Sequence, residues 1–291
     1  MPSTPTLILT HGSWHTPAYW DKARAILESK GYKCIAPQLL YTDTDKPVAS
    51  IGPAIESLRK VIASEINDGN DVVVINHSFG GMVGCSAIKG FTRNNPSDIK
   101  HDSSGHVLGL VQTPAYAPRS NNALIDLYAV PGYVESLSSQ DQVRPSEEGY
   151  SELLREPAGF FYNDLPPEEA QELISKLVKF SFSLGMSSDG VYAGWLDVPV
   201  WYLFCTLDQA ITLKGQEIIV HVCRDDGAFV TTEVLEAGHS PAISKPRDVV
   251  RFIENATESF RTMAIESEFF DLPKGHIKSG PLPEMSTGNR R

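Results

Sequence analysis

Cysteines and long apolar runs are scarce in this sequence. The four cysteines are widely separated along 291 residues, and three fall in or beside apolar runs, where a buried free thiol is expected. No apolar run approaches the roughly 18 residues that a membrane span needs. The first six residues lack the basic and apolar segments of a secretory signal. Together these absences indicate a cytoplasmic, reduced protein that does not span a membrane.

Positively charged residues are also fewer than negatively charged ones. Lysine and arginine number 25 against 36 aspartates and glutamates, for a formal net charge of -11. Because an acidic chain repels phosphate backbones and anionic lipids, neither nucleic acid nor a membrane is an expected partner. Hydrophobic residues make up 41% and charged residues 21%, close to the average for globular proteins, so the composition does not indicate disorder.

Short apolar runs alternate with helical patterns along most of the chain. The run at 72–75 is continuously β-branched, which is typical of a strand covered on both faces in a parallel sheet. Residues 51–66 carry apolar side chains at helical spacing. The predicted strands are at 6–10, 32–36, 72–75, 107–111, 198–204 and 229–235, and the predicted helices are at 17–30, 51–66, 80–88, 214–222 and 246–261. This alternation predicts a mainly parallel sheet with helices on both faces.

The alternation is interrupted between residues 115 and 196. Strand patterns disappear there, and helices are predicted at 151–155 and 168–180 among aromatic, proline and serine residues. A helical block within an α/β pattern predicts a lid inserted over the sheet. The predicted organisation is a core of residues 1–114 and 197–270, a helical lid of residues 115–196 and a mobile tail of residues 271–291.

Ser78 stands between the strongest strand signal and a helix that begins with glycines. A serine at such a junction can sit on a sharp turn with its hydroxyl exposed at the carboxyl edge of the sheet, as in the Gly-x-Ser-x-Gly nucleophile elbow. Gly80 and Gly81 supply small residues that the crowded backbone needs, whereas Asn76 replaces the first glycine of the pattern. This context makes Ser78 the candidate nucleophile, and a serine in an ordinary strand–helix turn is the alternative.

His239 and Asp208 follow the last two predicted strands. A serine hydroxyl is hardly ionised at neutral pH and needs a base, and the base needs a carboxylate that sets its tautomer. Loops at the carboxyl ends of parallel strands converge at one edge of the sheet, so His239, Asp208 and Ser78 are expected to meet there. Taken singly, a surface histidine or a capping aspartate would be ordinary. Their order along the chain, serine then acid then histidine, favours a catalytic triad.

Two main-chain amides are candidates for stabilising an oxyanion. Gly12 directly follows the first predicted strand, where a glycine lets the backbone turn its N–H groups inward. The N–H groups of Ser13 and Phe79 are therefore the predicted donors to a tetrahedral oxyanion.

Aromatic side chains near the predicted site could line an apolar acyl pocket. Trp14, Phe161 and Tyr162 are the candidate substrate-binding residues, and packing within the lid is the alternative. His15 and His77 flank the site, where hydrogen-bonded support is expected rather than a second catalytic histidine.

Four motifs together resemble the α/β-hydrolase superfamily. They are HGSWH at 11–15, HSFGG at 77–81, DQAI at 208–211 and GHSP at 238–241. The resemblance runs over about residues 7–258 and is to the small soluble branch that includes plant methylesterases, hydroxynitrile lyases and uncharacterised fungal serine hydrolases. It implies the α/β-hydrolase fold, the triad of Ser78, Asp208 and His239, and the two oxyanion donors.

The resemblance also bears on cofactors and on one alternative reaction. It implies that neither a metal nor an organic cofactor is needed. In the lyases of this branch a lysine follows the catalytic histidine, and Ser240 occupies that place here, which argues against cyanohydrin cleavage.

The expected function is therefore that of a serine hydrolase that cleaves a small-molecule carboxylic ester, lactone or thioester through an acyl-enzyme. The alternatives are a lyase or cyclase on the same fold, a receptor-like binding module with little turnover, and a folded protein that has no activity left. The fold does not identify the acyl group or the leaving group, and the sequence is silent on oligomeric state.

Overall fold

The computed structural model describes residues 4–101, 104–137 and 143–266 of the chain. Its strands are β1 (Thr6–Thr10), β2 (Cys34–Ile35), β3 (Val72–Ser78), β4 (Val107–Ala115), β5 (Val143–Pro145), β6 (Ser151–Leu153), β7 (Val200–Cys205) and β8 (Val230–Leu235). Its α-helices are α1 (Asp21–Ser29), α2 (Gly52–Asn67), α3 (Gly80–Ala87), α4 (Tyr133–Ser136), α5 (Pro157–Phe161), α6 (Pro167–Ile174), α7 (Leu213–Asp225), α8 (Pro241–Ser244) and α9 (Pro246–Glu266). Short 3-10 helices span Pro17–Trp20, Leu124–Ala129, Phe182–Met186 and Gly194–Leu196.

One sheet of six strands organises the chain. Its strand order is β2–β1–β3–β4–β7–β8, and all neighbouring strands run parallel. Parallel neighbours require crossover connections, and helices α1, α2, α3, α7 and the segment after β4 lie in those connections. The predicted mainly parallel sheet flanked by helices is confirmed, as is the position of each of its strands to within a few residues.

The sheet is buried on both faces because the run at 72–75 of its central strand β3 is apolar at successive positions. Successive side chains of a strand point to opposite faces. Val72 and Val74 of β3 pack into a cluster with α2, α3 and α7, whereas Val73 and Ile75 pack into a cluster with α1 and α9. Full burial of such a side chain stabilises the fold by about 1.5–3 kcal/mol. The two clusters hold the carboxyl ends of the strands in fixed relative positions.

The segment between β4 and β7 contains a hairpin where no strands were predicted. Strands β5 and β6 pair antiparallel, so the helix predicted at 151–155 is wrong. Gly149 reverses the chain at φ +88°, and Ser151 N–H donates to the carbonyl of Phe180 over 2.8 Å. These hydrogen bonds to a partner distant in sequence override the local helical pattern.

The helix predicted at 168–180 is shorter than expected. Helix α6 ends at Ile174, and beyond it Val178 N–H donates to the carbonyl oxygen of Trp14 over 2.9 Å. This hydrogen bond attaches the segment after α6 to the loop after β1, which is why the helix does not continue to residue 180.

The division into core and lid remains a prediction, and the predicted tail at 271–291 lies outside the described residues. Within the ranges that are described, no helix combines the length and apolarity needed to cross a membrane.

Candidate active site

Ser78 is the last residue of β3 and adopts a left-handed backbone conformation, with φ of 52°. A non-glycine residue in this region is strained, and such strain is concentrated at functional sites. A Cβ on Gly80 would lie 2.6 Å from the carbonyl oxygen of His11, and one on Gly81 would lie 2.0 Å from that of Tyr116. Both positions therefore require glycine, and the sharp strand-to-helix turn expected of a nucleophile elbow is present.

Asn76 occupies the place of the first elbow glycine, and the structure accommodates it through a second glycine. Its Oδ1 accepts a hydrogen bond from Thr10 Oγ1 over 2.8 Å. A Cβ on Gly84 would lie only 1.8 Å from the same Oδ1. The motif normally has a glycine where Asn76 stands. The Asn76 side chain fits here because the facing position of helix α3, Gly84, has no side chain.

His239 and Asp208 form a buried hydrogen-bonded pair beside the elbow. His239 lies in the loop after β8 and Asp208 in the loop after β7. Nδ1 of His239 is 2.9 Å from Oδ2 of Asp208. Because a carboxylate oxygen accepts, Nδ1 carries the proton, which leaves the lone pair of Nε2 available to act as a base.

The Asp208 carboxylate is held by three further donors. Oδ1 accepts from the main-chain N–H groups of Ala210 at 2.8 Å and Ile211 at 2.9 Å. Oδ2 also accepts from Nε2 of Gln216 at 3.3 Å. These bonds fix the carboxylate against rotation.

Gln216 was missed by sequence reasoning, although a signal was present. It is fully buried on α7 and shares a helical face with Ile219, Val220 and Cys223. Its Oε1 accepts from Cys205 N–H, and its Nε2 donates to the carbonyl oxygens of Cys205 and Ile211. A glutamine at a buried position of an amphipathic helix indicates a side chain with fixed polar partners.

His77 supports the main chain of His239. Its Nε2 donates to the carbonyl oxygen of His239 over 2.9 Å, and its ring stacks on Tyr19 with centroids 4.0 Å apart. Burial lowers the pKa of His77 well below its usual value. The ring is therefore neutral and serves as a hydrogen-bond donor.

The loop after β1 lies against Ser78. A Cβ on Gly12 would come within 2.8 Å of the Ser78 Cβ, so only glycine allows this approach. The amides of Ser13 and Phe79 donate to no acceptor among the described residues. The assignment of these two amides as oxyanion donors remains a prediction.

A series of hydrogen bonds through His15 and Tyr162 holds the loop after β1 in place. The hydroxyl of Tyr162 donates to Nε2 of His15 over 2.8 Å, and Nδ1 of His15 donates to the carbonyl oxygen of Ser13 over 2.7 Å. Burial lowers the pKa of His15 to about 3 and that of His11 to about 4. Both rings are neutral across the ordinary pH range.

A cavity of about 230 Å³ opens onto these groups. Ser13, Ser78 and His239 line it, together with Trp14 and Phe161, two of the three predicted substrate contacts. Tyr162 does not line it and lies behind the loop against His15. The other aromatic lining residues are Tyr116, Tyr128, Tyr133, Phe160, Phe180 and Phe182.

Metal ligands do not gather at this site. Across the described ranges, no group of three or more histidines, cysteines, aspartates and glutamates is placed to hold a metal ion.

The sequence model of the alpha/beta hydrolase family matches residues 7–252. This match includes Ser78, Asp208 and His239 as well as the six strands of the large sheet except Thr6, the first residue of β1.

Individual proteins show the same similarity. The alpha/beta hydrolase nvfD of Aspergillus novofumigatus is 30% identical over 254 residues, which cover 87% of this chain and 96% of that protein. Methylesterase 1 of Arabidopsis thaliana is 25% identical over 277 residues, which cover 87% and 96%. The crystal structure of polyneuridine aldehyde esterase superposes with a TM-score of 0.66 at 23% identity, covering 87% of this chain and 100% of that chain. The structural likeness agrees with the fold described above.

Proposed function

The chain belongs to the alpha/beta hydrolase family and is an enzyme of the hydrolase class, and we propose that it cleaves a small-molecule carboxylic ester, lactone or thioester with Ser78 as nucleophile. His239 is the general base, Asp208 orients it, and the amides of Ser13 and Phe79 bind the oxyanion. The scheme needs neither a metal nor an organic cofactor.

In the first half-reaction Ser78 Oγ forms a bond to the carbonyl carbon while its proton passes to Nε2 of His239. The imidazolium is stabilised by the Asp208 carboxylate. The carbonyl oxygen becomes anionic and accepts hydrogen bonds from the two amides. When the bond to the leaving group breaks, the leaving group takes the proton from His239, and the acyl group stays on Ser78.

In the second half-reaction water replaces the leaving group. His239 removes a proton from water as the water oxygen bonds to the acyl carbon. Collapse of this intermediate breaks the bond to Ser78 Oγ, which recovers its proton from His239. The carboxylic acid leaves with one oxygen from solvent. General-base action of this kind typically supplies about 10²–10⁴ in rate.

The observation that carries the proposal is the meeting of three separate chain segments. The serine on a strained turn and the histidine line one cavity, and that histidine is bonded through its other nitrogen to a buried carboxylate. Each residue alone has an ordinary structural explanation, whereas their joint arrangement favours nucleophilic catalysis.

The test compares hydrolysis of an ester, lactone and thioester panel by wild type, Ser78→Ala and Ser151→Ala in ¹⁸O-labelled water. Ser151 also lines the cavity and is the matched control, since the mechanism gives its hydroxyl no role. Wild type and Ser151→Ala should release acid that contains solvent oxygen, and Ser78→Ala should lose at least about 10³ in kcat with an unchanged circular dichroism spectrum. Full turnover by Ser78→Ala would refute the proposal, and a product without solvent oxygen would indicate a lyase or cyclase.

A further inference from the structure

Among the described residues, the cavity offers no charged partner to a charged substrate. No aspartate, glutamate, lysine or arginine of the described ranges lines it. Moving an unpaired charge out of water into such a site is costly. The lining therefore selects against substrates that carry a charge near the reacting carbonyl.

The cavity is lined both by buried residues and by exposed apolar ones. At the inner end His239 is 1% exposed and Ser78 is 8% exposed. At the outer end Ile125 is 39%, Tyr128 is 40% and Met186 is 56% exposed. All five line the same cavity. The last three, which we call the apolar rim, lie at the exposed part of the cavity, which Val143 also lines.

The rim is built from two elements. Ile125 and Tyr128 lie on the 3-10 helix Leu124–Ala129, and Met186 ends the 3-10 helix Phe182–Met186. The two helices contact each other, so the three side chains form one continuous surface with the cavity wall. An exposed apolar surface that continues into a pocket marks a binding surface rather than ordinary solvent-facing structure.

The cavity of about 230 Å³ extends from Ser78 to the rim. With its carbonyl at Ser78, a substrate contacts the rim only if the rest of the molecule spans this cavity.

From this arrangement we propose that the substrate is an uncharged, apolar acyl compound that spans the cavity, and that the apolar rim binds its outer end. The inference rests on the proposed function, because it places the reacting carbonyl at Ser78. Ile125, Tyr128 and Met186 then determine chain-length specificity.

The first test is a series of 4-nitrophenyl esters with linear acyl chains from acetate to dodecanoate. Each additional buried methylene should raise kcat/KM by up to about fourfold, and the increase should continue until the chain reaches the rim. The half-ester of hexanedioic acid, whose carboxylate would lie inside the cavity rather than at the rim, should react at least about 10²-fold more slowly than the hexanoate ester. Equal rates for these two esters would overturn the assignment of an uncharged substrate.

The second test alters the rim without touching the reacting groups. Ile125→Thr and Met186→Gln replace apolar groups with polar ones of similar size. The double variant should lower kcat/KM for the decanoate ester about threefold to tenfold and change that for the butyrate ester by less than about twofold. Leu196→Gln is the control, since Leu196 is 41% exposed on another 3-10 helix and does not line the cavity. It should change neither value.

The outcomes separate this inference from the function on which it rests. If a fluorophosphonate labels Ser78 but the ratio of decanoate to butyrate activity is the same in wild type and the double variant, the function stands and the rim assignment is wrong. If Ser78 is neither labelled nor active on any ester, both fail. If the double variant converts a wild-type dimer to a monomer in sedimentation without changing the ratio, the rim is a subunit interface instead.

Discussion

His77 donates from Nε2 to the main-chain carbonyl oxygen of His239 over 2.9 Å. His77 directly precedes Ser78, so a single buried side chain links the strand that bears the proposed nucleophile to the loop that bears the proposed base. The Asp208 pair sets the rotation of the His239 ring, whereas His77 sets the position of its backbone. The two contacts together fix where Nε2 of His239 points.

Replacing His77 tests this positioning role. Gln places an N–H close to the position of the histidine Nε2, whereas Leu has no donor and leaves a buried carbonyl unpaired. We expect His77→Leu to lower kcat about 10-fold to 10²-fold with KM changed less than about threefold, and His77→Gln to recover most of the loss. Steady-state kinetics below the measured melting temperature gives both values. A folded His77→Leu enzyme with wild-type kcat would refute the role.

Gln216 should contribute to both stability and activity. Gln216→Met keeps the volume but removes four hydrogen bonds, which leaves buried backbone groups of Cys205 and Ile211 unpaired. Each unsatisfied group costs about 1–3 kcal/mol, so the free energy of unfolding in urea should fall by at least about 2 kcal/mol. The rate of fluorophosphonate labelling should fall as well, because Asp208 loses a donor. Gln171→Met, at an exposed position of α6, is the control, and equal losses in both variants would contradict the account.

The close contact between Asn76 and Gly84 predicts that substitutions at these two positions have non-additive effects on the free energy of unfolding. Gly84→Ala places a Cβ 1.8 Å from Asn76 Oδ1, and overpacking of this kind costs about 1–3 kcal/mol. Adding Asn76→Gly removes the clash, so the double variant should be more stable than the sum of the single changes predicts by at least about 1 kcal/mol. Urea unfolding of all four proteins measures this coupling. Additive effects would show that the elbow does not depend on this pairing.

As the pH is lowered, the free energy of unfolding should begin to decrease at a higher pH than protonation of carboxylates alone would cause. The folded-state pKa is lowered to about 4 for His11 and about 3 for His15, from a model-peptide value of 6.5. Between these values the unfolded chain binds more protons than the folded one, so stability present above pH 6.5 is lost as pH falls toward 4. Each such histidine contributes a slope of about 1.4 kcal/mol per pH unit.

His15→Gln isolates one of these contributions. The variant should be less stable than wild type at pH 7.5, because bonds to Ser13 and Tyr162 are weakened. Its free energy of unfolding should depend on pH less steeply by about 1.4 kcal/mol per unit between pH 6 and 4.5. The exposed His101 provides the control His101→Gln, for which the wild-type slope is expected. An unchanged slope in His15→Gln would contradict burial of a neutral ring.

The large sheet was predictable because its signals are local. The β-branched run at 72–75 by itself predicts the strand β3. The helical spacing at 51–66 by itself predicts the helix α2. The elbow was predictable despite Asn76, since a buried strand, a serine and two glycines follow one another directly. The expected convergence of Asp208 and His239 followed from the rule that strand ends meet at one edge.

Contacts between segments that are distant along the chain could not be predicted from the sequence. The β5–β6 hairpin consists of two three-residue strands, too short for a periodic pattern, and its neighbours in space include Phe180. Tyr162 is an aromatic residue of the inserted segment like Phe161, and only the fold shows that one supports His15 while the other lines the cavity. Compensation of Asn76 by Gly84 likewise depends on how α3 packs against β3.

The most direct test of the central claim is intact-mass analysis after treatment with a fluorophosphonate, applied to wild type, Ser78→Ala and Ser151→Ala. An activated serine attacks phosphorus and retains one covalent adduct, whereas an ordinary serine does not react. The account predicts one adduct on wild type and on Ser151→Ala, and none on folded Ser78→Ala. No adduct on folded wild type, or an adduct that persists in Ser78→Ala, would contradict the assignment of Ser78 as the nucleophile.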